Sequence, residues 1–225
     1  MTSFAIKIIA CITMFLDHIK YAIPSAQNFF TIYGGRLSFP LFAFLITEGY
    51  VHTKNLKKYV TRLMLFGIIS QIPFMFFRTL VGEWKMLNIM FTMLLGILAI
   101  FVYDKINKKY VSLLVVVLIV FLGYVLKVDY GAYGVLTVFI IYVFKNNKKI
   151  FSVAYGTLIF IYYYYWFRNQ VIEMPNILYL ICTLFSIIII SFYNGKQGRK
   201  IKYFFYWFYP IHMIIVYLIS LKYLI

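Results

Sequence analysis

Asp17 and His18 stand side by side inside an apolar run that extends from about Phe4 to Ile23. A carboxylate at the centre of a membrane-crossing helix costs roughly 2.5–3.5 kcal/mol, so a segment needed only as an anchor would carry leucine there. Imidazole titrates near neutral pH and can take the proton that an attacking amine or hydroxyl must lose in acyl transfer. The pair therefore suggests general-base catalysis, with His18 as the base and Asp17 setting its charge or position. A polar cluster that only holds helices together is the competing role. Neighbours on a helix point about 100° apart, so the two side chains need not touch each other to face one cavity.

Further candidates follow along the chain. Gly34-Gly35-Arg36-Leu37-Ser38-Phe39-Pro40 reads as a turn running into a helix, with Arg36 able to pair with Asp17 or to hold an anion of the substrate. Glu48 and His52 are spaced i,i+4 and share a helix face. With Lys54, Lys57, Lys58 and Arg62 they form a basic mouth suited to the phosphates of a nucleotide-containing donor. The Glu48/His52 spacing also resembles two metal ligands, but no third is placed with them and such sites need about three protein ligands, so no metal is expected. Gln71, just before Pro73, and Asn88 lie at similar depth; either can orient a carbonyl or serve as helix–helix glue. Tyr209 and His212 flank Pro210, whose ring is expected to break the last helix just before His212.

These residues need a vessel, and the composition says which kind. The chain has 225 residues, 64% hydrophobic and only 12% charged, against about 25% charged in soluble domains. Its mean hydropathy is +0.89. Burying that much apolar surface requires lipid. The net charge of +16 would suggest nucleic acid in a soluble protein. Here the lysines fall in short loops between apolar runs, so no nucleic-acid partner is expected and the basic residues orient the chain in the bilayer. Cys11 and Cys182 both sit in apolar segments and read as packing residues.

Nine segments can be marked, at about 4–23, 37–52, 59–77, 86–103, 111–126, 132–144, 150–166, 177–193 and 204–221. The eighth-to-ninth connection and every second loop before it carry most of the 22 lysines and arginines, whereas Glu83, Asp129 and Glu173 fall in the poorer loops. The expectation is an all-α polytopic bundle of about nine transmembrane helices in a single domain over 1–225, with its N-terminus cytoplasmic and its C-terminus outside. Segment 132–144 is the weakest span and could be tilted, re-entrant or merged with its neighbour. Tyr162-Tyr163-Tyr164-Tyr165-Trp166 reads as an interfacial belt.

Taken in order, Leu16-Asp17-His18-Ile19, Gly35–Phe44, Glu48–Thr53, Ile72-Pro73-Phe74, Asn88–Thr92 and Tyr206–His212 resemble the TraX family of membrane acetyltransferases. The resemblance implies a multi-pass protein of the bacterial cytoplasmic membrane that takes an acetyl group from acetyl-CoA. The acceptor would be an amine or hydroxyl at the outer side, a peptide N-terminus or a cell-envelope glycan. By position it puts Asp17, His18, Arg36, Glu48, His52, Asn88 and His212 at stake. Two departures stand out: the family often has glycine where this chain has Lys20, and an acid where it has Gln71. The alternative reading is a small proton-coupled transporter or flippase, with the same ionisable groups acting as a proton relay.

Overall fold

The computed structural model describes residues 1–82, 85–169, 173–199 and 201–223; Glu83 and Lys200 lie outside them. Nine long helices account for most of the chain: α1 (Ser3–Ala22), α3 (Ser38–His52), α4 (Leu56–Thr79), α5 (Ile89–Lys105), α6 (Lys109–Val125), α7 (Gly131–Phe144), α8 (Lys148–Phe167), α9 (Met174–Ser191) and α10 (Lys202–Tyr223). A single helical turn, α2 (Phe29–Ile32), precedes a 3-10 turn at Gly34–Leu37. Each long helix coincides with one expected apolar segment. Several begin at a residue whose side chain accepts a free backbone N–H of the first turn, as expected of Thr and Asn caps: Thr2 from Ala5 N, Asn55 from Lys58 N, Asn147 from Ile150 N.

Five stretches are long and apolar enough to cross a membrane: Phe29–His52, Leu56–Thr79, Lys148–Phe167, Met174–Ser191 and Tyr203–Tyr223. Large apolar side chains cover the outside; on α6, Leu114, Val117, Leu118 and Phe121 are each exposed by more than half. Such a surface is stable only against lipid.

Helix contacts close into a ring. α1 packs on α3, α3 on α7, α7 on α5, α5 on α4, α4 on α10, and α10 returns to α1. α6 leans on α5 and α7 from outside through a small separate core of Ala99, Val116, Ile119, Val135 and Phe139. α8 packs on α7 and α9 on α8, and α9 also reaches the Gly34–Leu37 turn. The weak segment is an independent helix of 14 residues, about 21 Å at 1.5 Å per residue. That is shorter than a bilayer core, but α7 is buried among α3, α5 and α8, where its ends need not reach lipid headgroups. Neither interior proline ends its helix: α4 continues through Pro73 and α10 through Pro210. The expected break before His212 is absent, and the histidine sits inside a continuous helix.

One end of the bundle is tied by hydrogen bonds that also fix which loops share it. Ser3 N and Phe4 N donate to the carbonyls of Lys196 and Gln197, so the N-terminus sits against the α9–α10 connection. Tyr50 and Tyr142 both donate to Asp104 Oδ2, at 2.8 and 2.7 Å, joining the ends of α3, α5 and α7. Toward the opposite end, Gln71 and Asn88 pin α4 to α5. Asn88 caps α5 by accepting from Met90 N, and its amide donates to Gly67 O at 2.7 Å and Gln71 Oε1 at 2.9 Å. Gln71 also accepts from Asn88 N and donates to Met86 O. Asn88 is fully buried, so Asn88→Ala strands several polar groups. It is expected to cost about 1–3 kcal/mol and to lower the thermal unfolding midpoint of the detergent-purified protein; an unchanged midpoint would show that the pin carries no stability.

Candidate active site

The ring encloses a cavity of about 1380 Å³. Residues of both ends line it: Lys7, His52 and Arg62 at the end that holds the N-terminus, Asp17, Arg36 and Asp129 toward the other. The volume exceeds the roughly 300–1,000 Å³ of ordinary small-molecule pockets, which leaves room for two reactants. His18 lies on the wall.

His18 is held by a partner 194 residues away. Its Nδ1 lies 2.9 Å from Nε2 of His212, and the rings are nearly parallel. His212, 2% exposed, has Nδ1 2.8 Å from the carbonyl oxygen of Phe208. A carbonyl only accepts, so Nδ1 of His212 carries the proton. Its Nε2 is then the acceptor, and His18 must donate to it from Nδ1. The chain of bonds leaves His18 with an unprotonated Nε2, which makes no hydrogen bond among the described residues. This is the tautomer of a general base whose other nitrogen is anchored. The anchored bond survives when Nε2 takes a proton.

Asp17 turns elsewhere. Lys20 Nζ donates to its Oδ1 at 2.7 Å, and Arg36 Nη2 lies 3.5 Å from the same oxygen. The side chains of Lys20, Asp17 and Arg36 are only 7%, 13% and 15% exposed, so the pairing replaces hydration that all three have lost. Gly35 makes the approach possible: a Cβ there would overlap Asp17, coming within 2.5 Å of its Oδ1. Arg36 is backed by aromatic rings, its guanidinium 5.0 Å from the centre of Tyr179 and 6.0 Å from Trp166. No hydrogen bond joins Asp17 to His18 among the described residues, so His212, not Asp17, orients the imidazole.

A model of the family described as "TraX protein" matches residues 3–220. The chain belongs to the TraX family. It is also 27% identical over 234 aligned positions to a protein of Dichelobacter nodosus named "Probable fimbrial assembly protein FimC, serogroup H1", covering 94% of this chain and 93% of that one. No solved structure matches.

Within this TraX-family chain the expected site residues separate into groups. Asp17, His18, Arg36, Glu48, His52, Lys54, Arg62 and Tyr209 line one cavity. Glu48 Oε2 and His52 Nε2 lie 3.2 Å apart near the end with the basic loop. Among the described residues no three His, Cys, Asp or Glu side chains converge as for a metal ion. Lys58 is exposed and points away from the cavity wall. Gln71 and Asn88 are absent from the wall too; their hydrogen bonds are spent on each other and on backbone, the helix-glue role. His212 stands behind His18, not in the lining. The aromatic run is only half a belt: Tyr164 and Tyr165 face outward, Tyr163 is buried and bonds Thr183 at 2.8 Å, and Tyr162 and Trp166 line the cavity.

Sequence reasoning missed Lys7, Arg78 and Asp129 as cavity residues. The signal for Lys7 was present, a charge on the same first helix as Asp17 and His18. The chain holds only three histidines, so ¹⁵N-histidine spectra can read the tautomers directly. At a pH above their titration, both His18 and His212 are expected as the Nδ1–H form, and His212→Phe is expected to release His18 into a mixture. A His18 spectrum that is Nε2–H in the unsubstituted protein would contradict the bond chain.

Proposed function

We propose that this protein is an integral-membrane acetyltransferase of the cytoplasmic membrane, with its N-terminus and basic loops on the cytoplasmic side. It would move an acetyl group from acetyl-CoA to an amine or hydroxyl entering from the outer side. The observation that carries this reading is a histidine with a free, anchored Nε2 in a cavity lined from both ends of the bundle. The name of the D. nodosus relative, a fimbrial assembly protein, is in keeping with a pilin-type peptide acceptor.

The end of the cavity beside the N-terminus fits the donor. Lys7, His52, Lys54, Arg62 and Arg199 surround it, and Arg62 has a buried Nε–H without a hydrogen-bond partner. A guanidinium with an unspent donor suits a phosphate. Acetyl-CoA would supply an activated acetyl group; the chain's part is to hold it and to manage protons and charge. His18 Nε2 takes the proton from the attacking atom, while the His18–His212–Phe208 bonds keep the ring from turning. Arg36 Nε and the Tyr209 hydroxyl are buried in the wall without hydrogen-bond partners, and are the donors available to the negative oxygen of the tetrahedral state. Asp17 holds Arg36 for that task. Since His18 borders the same space as the basic mouth, transfer can be direct, without an acyl-enzyme.

The transporter reading gains less support. Alternating access needs one side closed at a time, and this cavity is lined from both ends at once. In nanodiscs, turnover of acetyl-CoA with an amine acceptor is expected to fall by about 10²–10⁴-fold in His18→Ala, with the protein still folded. Arg62→Ala is expected to raise the KM for acetyl-CoA with little change in kcat. Equal turnover with and without His18 would remove it from the chemistry.

A further inference from the structure

We propose that Asp129 is the acceptor-side base of the cavity: it holds the acceptor as an ammonium and takes its first proton, which makes the acceptor a primary amine and not a hydroxyl. This rests on the acetyltransferase reading and narrows its substrate class.

Asp129 sits in the short connection between α6 and α7, and the connection is held in a shape that costs energy. Lys127 and Tyr130 both have positive φ, 51° and 62°. Side-chain-bearing residues reach that region at a penalty of about 1–3 kcal/mol, a kind of strain that concentrates at functional sites. The loop is fastened regardless. Asp129 N donates to Leu87 O at 2.8 Å, Leu87 N to Lys127 O at 3.1 Å, and the Thr92 hydroxyl to the carbonyl of Asp129. Tyr130 stacks on Phe39, ring centres 4.0 Å apart. All these anchors hold backbone or Tyr130; none uses the Asp129 carboxylate, which lines the cavity and forms no ion pair among the described residues. Asp17, by contrast, is paired twice.

The groups whose charge Asp129 feels come from every side: Arg78 of α4, Arg36 of the turn, Asp17 of α1, Tyr162 of α8 and Tyr209 of α10, beside Tyr130 of its own loop. Burial pushes its carboxyl up to about 6, against the pull of Arg78 and Arg36. It is thus ionised at neutral pH yet basic enough to accept a proton.

Chemistry explains why two bases share one cavity. A hydroxyl loses one proton on becoming an ester. A primary ammonium loses two on becoming an amide. The first passes from R–NH₃⁺ to the Asp129 carboxylate, giving R–NH₂ and a neutral carboxylic acid. The amine nitrogen then attacks the acetyl carbonyl carbon; the new C–N bond forms, the thioester C–S bond breaks, and the thiolate of CoA leaves. The second proton moves from nitrogen to His18 Nε2 and on to that thiolate. Asp129 returns its proton to water.

The test uses the full chain in nanodiscs with acetyl-CoA and two probes, a short peptide with a free N-terminus and an N-blocked peptide whose only nucleophile is a serine hydroxyl. The native protein is expected to acetylate the first and not the second, with the amine KM rising below about pH 6 as Asp129 protonates. Asp129→Asn is expected to raise that KM by about tenfold near about pH 7 and to recover near about pH 9, where an α-amine is already neutral. Asp129→Glu, which keeps the charge, should retain the native pH profile. Acetyl-CoA affinity, unchanged in both variants, reports that they are folded. An Asp129→Asn variant with native KM and pH profile, or a native protein that prefers the hydroxyl, overturns the proposal while leaving the acetyltransferase intact. Transfer to neither probe overturns the acetyltransferase reading, and this inference with it.

Discussion

The close approach of the Gly34–Leu37 turn to α1 is the constraint on which the site depends. A buried carboxylate has little water to stabilise it, so Asp17 must find cations inside the bundle. Lys20 supplies one from its own helix, and Arg36 supplies the other only because Gly35 presents no Cβ to Asp17. That contact fastens the entry of α3 against α1 and turns Arg36 toward the aromatic wall of Tyr179 and Trp166. With Asp17 committed to Arg36, the adjacent His18 is free to face α10, where His212 fixes its tautomer. Lys20, where the family often has glycine, is half of the pairing that lets Asp17 stay charged.

The ring of helices turns these local contacts into a route. Its two lined ends carry different chemistry: an excess of basic side chains beside the N-terminus, and a mixed set of Asp17, Arg36, Arg78 and Asp129 toward the other end. His18 lies between them. A protein that must join a water-soluble, multiply anionic donor to an acceptor from the opposite side needs this division, because each reactant brings charge that the lipid cannot solvate.

The helices were legible in the sequence because long apolar runs and basic loops are strong signals in a chain whose solvent is lipid. Depth was legible too, which is why Asp17, His18, Arg36, Glu48, His52 and Arg62 were picked out and lie around one cavity. What a run of hydropathy does not contain is the order of helices around the ring, or which face each turns inward. Hence the bond between His18 and His212 was invisible, and Gln71 and Asn88 looked like substrate groups when they bond each other. Pro210 argued for a break that packing of α10 on α4 and α1 overrides. Asp129 read as an ordinary loop acid; its importance comes from strained loop geometry and from the bridge to Leu87, both products of tertiary structure.

The most direct test of the account is sidedness. Proteoliposomes of uniform orientation would enclose acetyl-CoA carrying a labelled acetyl group on the side of the basic loops, with an amine-bearing peptide supplied only on the other side. A single cavity with His18 between two mouths predicts label on the external peptide without loss of CoA from the vesicles, and none in His18→Ala. Label found only on acceptors enclosed with the donor would contradict a site open to both sides.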